Sequence, residues 1–251
     1  LSMLRKPDVT HIAVAFDSEV KSFRNEIFPS YKDGSDTPAD LYQQFALAER
    51  AVDALGITCW PMREFEADDV LGTAAVTYIE DKRVEQILIC SPDKDLSQVV
   101  TGNRIVCLDR RKNLIIDENE VERKFGISPR SIPDYLGLMG DSSDGIPGVP
   151  KWGAKASSTL LARYGFIESI PKDYRLWDVS VRGASSLSMS LEKHRLEANL
   201  YKRLATLRMD VPIVQSVDEL EWRGADKSLF PELCIELGIS NLRESPNKWL
   251  S

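Results

Sequence analysis

Residues 140–165, GDSSDGIPGVPKWGAKASSTLLARYG, constrain this chain more than any other stretch. Asp141 and Asp144 stand at an i, i+3 spacing just before a Gly/Pro-rich turn. That turn opens a helix carrying Lys151 and Lys155. Backbone amides at a helix start, with lysines beside them, favour an anion such as a phosphate. Carboxylates tolerate that phosphate only if a cation sits between them. Metal ions together with a nucleic-acid backbone satisfy all of these groups at once.

Further acids recur along the chain. Glu66, Asp68 and Asp69 lie in FEADDVLG, Asp93 and Asp95 in SPDKDL, and Asp17 follows the apolar run Ile12–Phe16. Hard oxygen ligands suit Mg²⁺ or Mn²⁺, and several carboxylates are needed to hold a pair of ions. A net charge of −7 looks unsuited to nucleic acid, yet these eight acids carry −8, which leaves the rest of the chain at +1. Bound divalent ions offset part of the cluster. The balance does exclude a broadly basic, non-specific DNA coat protein. The two histidines, His11 and His194, fall in none of these motifs, which argues against a Ser-His-Asp triad.

Cys59, Cys90, Cys107 and Cys234 are widely spaced with no CxxC, so neither a zinc site nor a disulfide framework is expected, and a reducing compartment fits. No apolar run of about 18 residues exists, so no membrane span is expected, and no signal peptide is visible.

The first two-thirds alternates strand and helix signals. Ile12–Phe16 reads as a buried strand ending at Asp17. Thr37-Pro38-Ala39-Asp40 reads as a helix start, with Leu41, Phe45, Ala48, Val52 and Leu55 at helical spacing and Gly56 as the stop. A short strand at Ile57–Trp60, a helix over Ala67–Glu80 and a strand at Gln86–Cys90 follow. Arg104–Leu108 and Asn113–Ile116 suggest a hairpin, and Asp117 with Glu120 begins a helix in capping-box fashion. The alternation predicts an α/β fold with a central, mostly parallel sheet. In such sheets ligands gather at the carboxyl ends of strands, where Asp17 and Asp93 fall. From Ser128 the strand signals fade and a helical subdomain is expected. We divide the chain into a core over residues 1–127, a helical module over 128–215 and an extension over 216–251, in which no motif is legible.

In chain order, VAFD, SFRNEIFPSYK, FEADDVLG, SPDKDL and GDSSDGIPGVPKWGAK resemble the bacterial-type 5′→3′ exonuclease and flap endonuclease family, which includes the nuclease domain of DNA polymerase I. The resemblance covers roughly residues 8–165. It implies a PIN-like core and a helix–three-turn–helix module for DNA. It also implies two-metal hydrolysis of phosphodiesters at 5′ ends, 5′ flaps and branched or nicked duplex, in replication and repair. By motif match, Asp17, Glu66, Asp68 and Asp69 would serve one metal site, and Asp93, Asp95, Asp141 and Asp144 the other. Lys32 matches an active-site lysine and Arg24 a basic residue on the same segment. Gly148, Lys151, Gly153 and Lys155 match a phosphate-backbone clamp whose carbonyls would hold a K⁺ ion. Tyr31 is placed to stack on a frayed base. A monomer in the bacterial cytoplasm or nucleoid is expected.

The family pattern differs at two places. An additional strand ending in a metal-site carboxylate normally precedes the VAFD strand, so the chain reads as an N-terminal fragment or variant with impaired metal geometry. An arginine usually follows the Tyr-Lys pair, and here Ser35 stands there. Alternative readings are a catalytically impaired DNA-binding relative and a PIN-type ribonuclease. Taken alone, Glu66 to Asp69 read equally well as acids complementing a helix dipole. Asp93-Lys94-Asp95 alone reads as a turn followed by a cap, Lys32 as a surface lysine, and Tyr31 and Trp152 as packed aromatics.

Overall fold

A computed structural model describes residues 1–32, 34 and 38–250. It contains two compact units that do not follow chain order: Leu1–Phe23, Gly34–Val70 and Asp210–Ser251 form one, and Arg24–Asp33 with Leu71–Met209 form the other. Helices α1 (Phe23–Ile27) and α4 (Ala67–Tyr78) each begin in the first unit and end in the second.

In the first unit, strands β1 (Ala13–Asp17) and β2 (Thr58–Met62) pair in parallel, from Ala13 opposite Thr58 to Asp17 opposite Met62. Pro61 in β2 has no amide to donate, as suits a strand at an edge. The helix expected from Thr37 is broken into α2 (Ala39–Tyr42) and α3 (Phe45–Ala54). Thr37 itself lies outside the described residues. The break has a physical reason: α2 buries none of its residues, so no packing holds it in line with α3. The segment beyond residue 210, illegible in the sequence, completes this unit. Ile12 N donates to Leu220 O at 3.0 Å and Trp222 N to Thr10 O at 3.0 Å. Trp222 packs with Leu4 and Ile57, and its indole donates to Leu55 O at 2.8 Å. Helix α10 (Leu229–Glu236) brings Phe230, Leu233 and Cys234 against Ala54.

In the second unit, β3 (Ile87–Ile89) pairs in parallel with β4 (Ile105–Asp109), and β4 pairs antiparallel with β5 (Leu114–Ile116). The single central sheet expected from the sequence is therefore two small sheets among the described residues, one in each unit, with parallel pairing in both. At three residues, β3 and β5 are too short to extend a ladder far. Helix α5 (Glu118–Phe125) starts where Asp117 accepts from Glu120 N at 2.9 Å and stops at left-handed Gly126. Helices α6 (Ile132–Met139), α7 (Ala154–Tyr164), α8 (Ala184–Lys193) and α9 (Arg195–Ala205) supply Leu136, Leu138, Leu160, Leu161, Leu191 and Leu204 to one apolar core. Gly137 lets α6 approach α9: a Cβ there would lie 2.8 Å from Lys202 N. Among the described residues no helix is long and apolar enough to cross a membrane.

Candidate metal centre

Three acids of the second unit converge. Asp95 opens a 3₁₀ turn, Asp95–Val99, that follows β3. Leu96 and Val99 in that turn are buried and anchor it in the core, so Asp95 is carried inward with them. Asp141 and Asp144 stand on the tight loop after α6. Asp141 N donates to Ile146 O and Ile146 N to Asp141 O, both at 2.8 Å, closing that loop on itself. Each of the three acids is buried, and one carboxylate oxygen from each lies within 4.8 Å of the others.

The electrostatics of this trio are strained. Asp95 Oδ1 is buried and accepts no hydrogen bond. Burial, then the neighbouring Asp93 and Asp144 carboxylates, push the Asp95 carboxyl up to about 8. Burial works against ionised Asp141 as well, but hydrogen bonds from Lys94 and Ser143 hold its carboxyl below the usual range. Lys94 Nζ pairs with Asp141 Oδ2 and lies 3.9 Å from Asp95 Oδ1. Lys32 Nζ lies 3.1 Å from Asp144 Oδ1, and Lys32 N donates to Asp144 O at 3.1 Å. An orphaned carboxylate oxygen among close, buried, hard oxygen donors is the environment a divalent cation fits.

The other expected ligands are placed differently. Asp93 is exposed and caps the turn, accepting from Asp95 N at 2.9 Å. In the first unit, Asp17 accepts from Ala67 N at 2.6 Å and Asp69 from Glu66 N at 3.0 Å. Ser22 donates to Glu66 Oε1 at 2.7 Å. Asp17 and Asp69 thus satisfy open amides at the start of α4, and Asp68 is half-buried in the first turn of that helix.

Three further residues are buried. Arg24 is 1% exposed, and its guanidinium donates to Leu204 O at 2.8 Å and Thr206 O at 3.2 Å, so it ties α1 to the end of α9. Tyr31 is 3% exposed and belongs to the apolar core. Gly148 is buried; a Cβ there would lie 2.5 Å from Met139 C and Gly140 N. The missing side chain allows close approach of two backbone segments, and φ +73 is a further demand for glycine. Lys151, Gly153 and Lys155 remain exposed at the start of α7, where Gly153 is the N-cap. Trp152 is buried, its indole donating to Leu187 O at 3.2 Å. Lys94 and Asn25 went unread in the sequence. Asn25 Nδ2 donates to Tyr31 O at 3.2 Å and Lys32 O at 3.0 Å and so fixes the backbone that carries Lys32. The only sequence signal for Lys94 was its position between two acids.

Two family models divide the chain: the 5′-3′ exonuclease N-terminal resolvase-like domain matches residues 1–126, and the 5′-3′ exonuclease C-terminal SAM fold matches residues 127–228. The chain belongs to the 5′-3′ exonuclease family. It is 37% identical to the 5′-3′ exonuclease of Buchnera aphidicola subsp. Schizaphis graminum, over 88% of this chain and 76% of that protein. It is 34% identical to DNA polymerase I of Bacillus caldotenax over 96% of this chain, but spans only 27% of the polymerase. Its fold is similar to the T5 5′-exonuclease with bound divalent metal ions (zinc), at a TM-score of 0.64 and 17% identity, covering 91% of this chain and 83% of that one. It is also similar to the catalytic core of Rad2 in complex with DNA substrate, at a TM-score of 0.58 and 13% identity, covering 93% and 75%.

Proposed function

We propose that this chain hydrolyses DNA phosphodiesters at 5′ ends and 5′ flaps, with Mg²⁺ or Mn²⁺ held by its carboxylates. One observation carries the reading: the buried trio Asp95, Asp141 and Asp144, with an oxygen of Asp95 left without a hydrogen bond, in a chain of this family. One ion is assigned to the trio and a second to Asp17, Glu66, Asp68 and Asp69. When bound, such ions supply Lewis acidity toward the phosphoryl oxygens and lower the pKa of water. The protein's own groups do the rest. The loop of Asp141 and Asp144 and the turn of Asp95 fix three carboxylates before substrate arrives. Lys32, about a third exposed beside Asp144, offers a positive charge to a phosphoryl oxygen without acting as a base. Lys151 and Lys155 grip the backbone, which positions DNA without reading sequence.

The test is cleavage of labelled 5′-flap DNA, a matched RNA flap and an unbranched duplex, with Mg²⁺ and with EDTA. Metal-dependent cleavage of the DNA flap is expected. Binding without cleavage points to an impaired DNA-binding relative, and preference for the RNA flap to a ribonuclease.

Lys151 gives a sharper check on the clamp. Its φ of 74° places a non-glycine residue in the left-handed region. Such a conformation costs on the order of 1 kcal/mol. Lys151→Gly is therefore expected to stabilise the fold by about 0.5–1 kcal/mol while weakening every duplex substrate alike. The slope of log K against log salt should fall by about one for the lost phosphate contact. An unchanged slope contradicts the contact.

A further inference from the structure

Lys94 precedes the 3₁₀ turn that carries Asp95, and its side chain is 30% exposed. Its ammonium pairs with Asp141 Oδ2 and lies 3.9 Å from Asp95 Oδ1. Those two acids belong to the trio whose ligand oxygens lie within 4.8 Å of one another. The lysine thus occupies carboxylate oxygen that a divalent ion would need. A monovalent and a divalent cation at contact distance from the same oxygens repel strongly in a half-buried site. Lysine is suited to yield, because its ammonium is compact, strongly hydrated and carried on a flexible stem. A way out exists, since the Lys94 side chain is itself partly open to solvent.

We propose that Lys94 is a resident counter-ion of the trio, holding Asp141 and Asp95 together while the site is free of metal and leaving Asp141 when a divalent cation binds. The inference rests on the metal reading above and adds an exchange to it. Two consequences follow from linkage. Lys94 stabilises the metal-free fold by offsetting carboxylate repulsion, and it weakens metal affinity by the pairing that must be given up. Lys32 remains on Asp144, so one positive charge stays beside the site.

The wild-type protein supplies the first test. After EDTA treatment and exchange into metal-free buffer, it is labelled sparingly with a lysine acylating reagent, with and without saturating Mn²⁺. Labelling of Lys94 is read by mass spectrometry against exposed Lys193 on α8. The expected result is that Mn²⁺ raises relative labelling of Lys94 by about five-fold. Labelling that is unchanged or reduced overturns the exchange. The second test is Lys94→Met, which keeps length and removes charge. Calorimetry should show Mn²⁺ binding about five-fold more tightly than to the wild type, and the melting temperature without metal should fall. Equal or weaker Mn²⁺ binding by the variant overturns the proposal. If Lys94→Met does not fold without metal, labelling of the wild type still decides. Absence of Mn²⁺ binding to the folded wild type defeats the metal reading and this inference together, whereas binding without a change at Lys94 defeats this inference alone.

Discussion

Asp95→Asn lowers the rate of DNA hydrolysis by about 100-fold or more and leaves DNA affinity within about three-fold. The asymmetry follows from where the residue acts. A carboxylate holding a cation matters most where negative charge builds on the phosphoryl oxygens, which is in the transition state and not in the bound substrate. The same substitution is expected to stabilise the metal-free protein by about 1 kcal/mol. Asp95 is buried, its Oδ1 accepts no hydrogen bond, and its neighbours Asp93 and Asp144 oppose its charge. A neutral amide removes that opposition at nearly constant volume. Lower rate with higher melting temperature in EDTA is the signature of a site kept at a cost to stability. Parallel losses of rate and stability would instead mark Asp95 as an ordinary structural acid.

Arg24→Ala acts in the opposite way. It is expected to destabilise the protein by about 3 kcal/mol, lowering the melting temperature by about 6 to 12 °C. The guanidinium is 1% exposed and donates to Leu204 O and Thr206 O. Removing it strands the buried carbonyl of Leu204, frees the more exposed one of Thr206 and leaves a cavity beside Tyr31, whose ring centre is 6.0 Å away. Thermal unfolding of the variant checks this directly. An unchanged melting temperature together with a large loss of rate would instead support the catalytic role that the motif suggests for Arg24.

These two residues show what the sequence makes legible. Strand, helix and loop signals located β1 through β5 closely, because each short apolar run ends at a polar turn that nothing distant overrides. The acids of the trio were legible because oxygen-ligand chemistry demands several carboxylates on punctuated loops. Burial was not legible. Arg24 and Tyr31 sit in a segment that reads as basic and aromatic, and only tertiary packing shows that both face inward. At Gly148 the backbone of Met139 and Gly140 occupies the space a side chain would need, a close approach that no local pattern announces. The tail beyond residue 210 carried no motif because its contribution is a few long-range contacts, such as those of Leu220 and Trp222 with the first strand's approach, and these have no local periodicity. Lys94 was hidden for a related reason: a lysine between two aspartates reads as a solvated turn until its ammonium is seen on Asp141.

Whether Asp95, Asp141 and Asp144 hold a divalent cation is decided by direct binding. Calorimetric titration of Mn²⁺ into EDTA-treated wild-type protein, and in parallel into Asp141→Asn and Asp95→Asn, tests it most directly. Saturable binding to the wild type is expected, with loss of one bound ion, or a drop in its affinity of about 10-fold or more, in each variant. Folded wild-type protein that binds no Mn²⁺, or variants whose isotherms match the wild type, would contradict it.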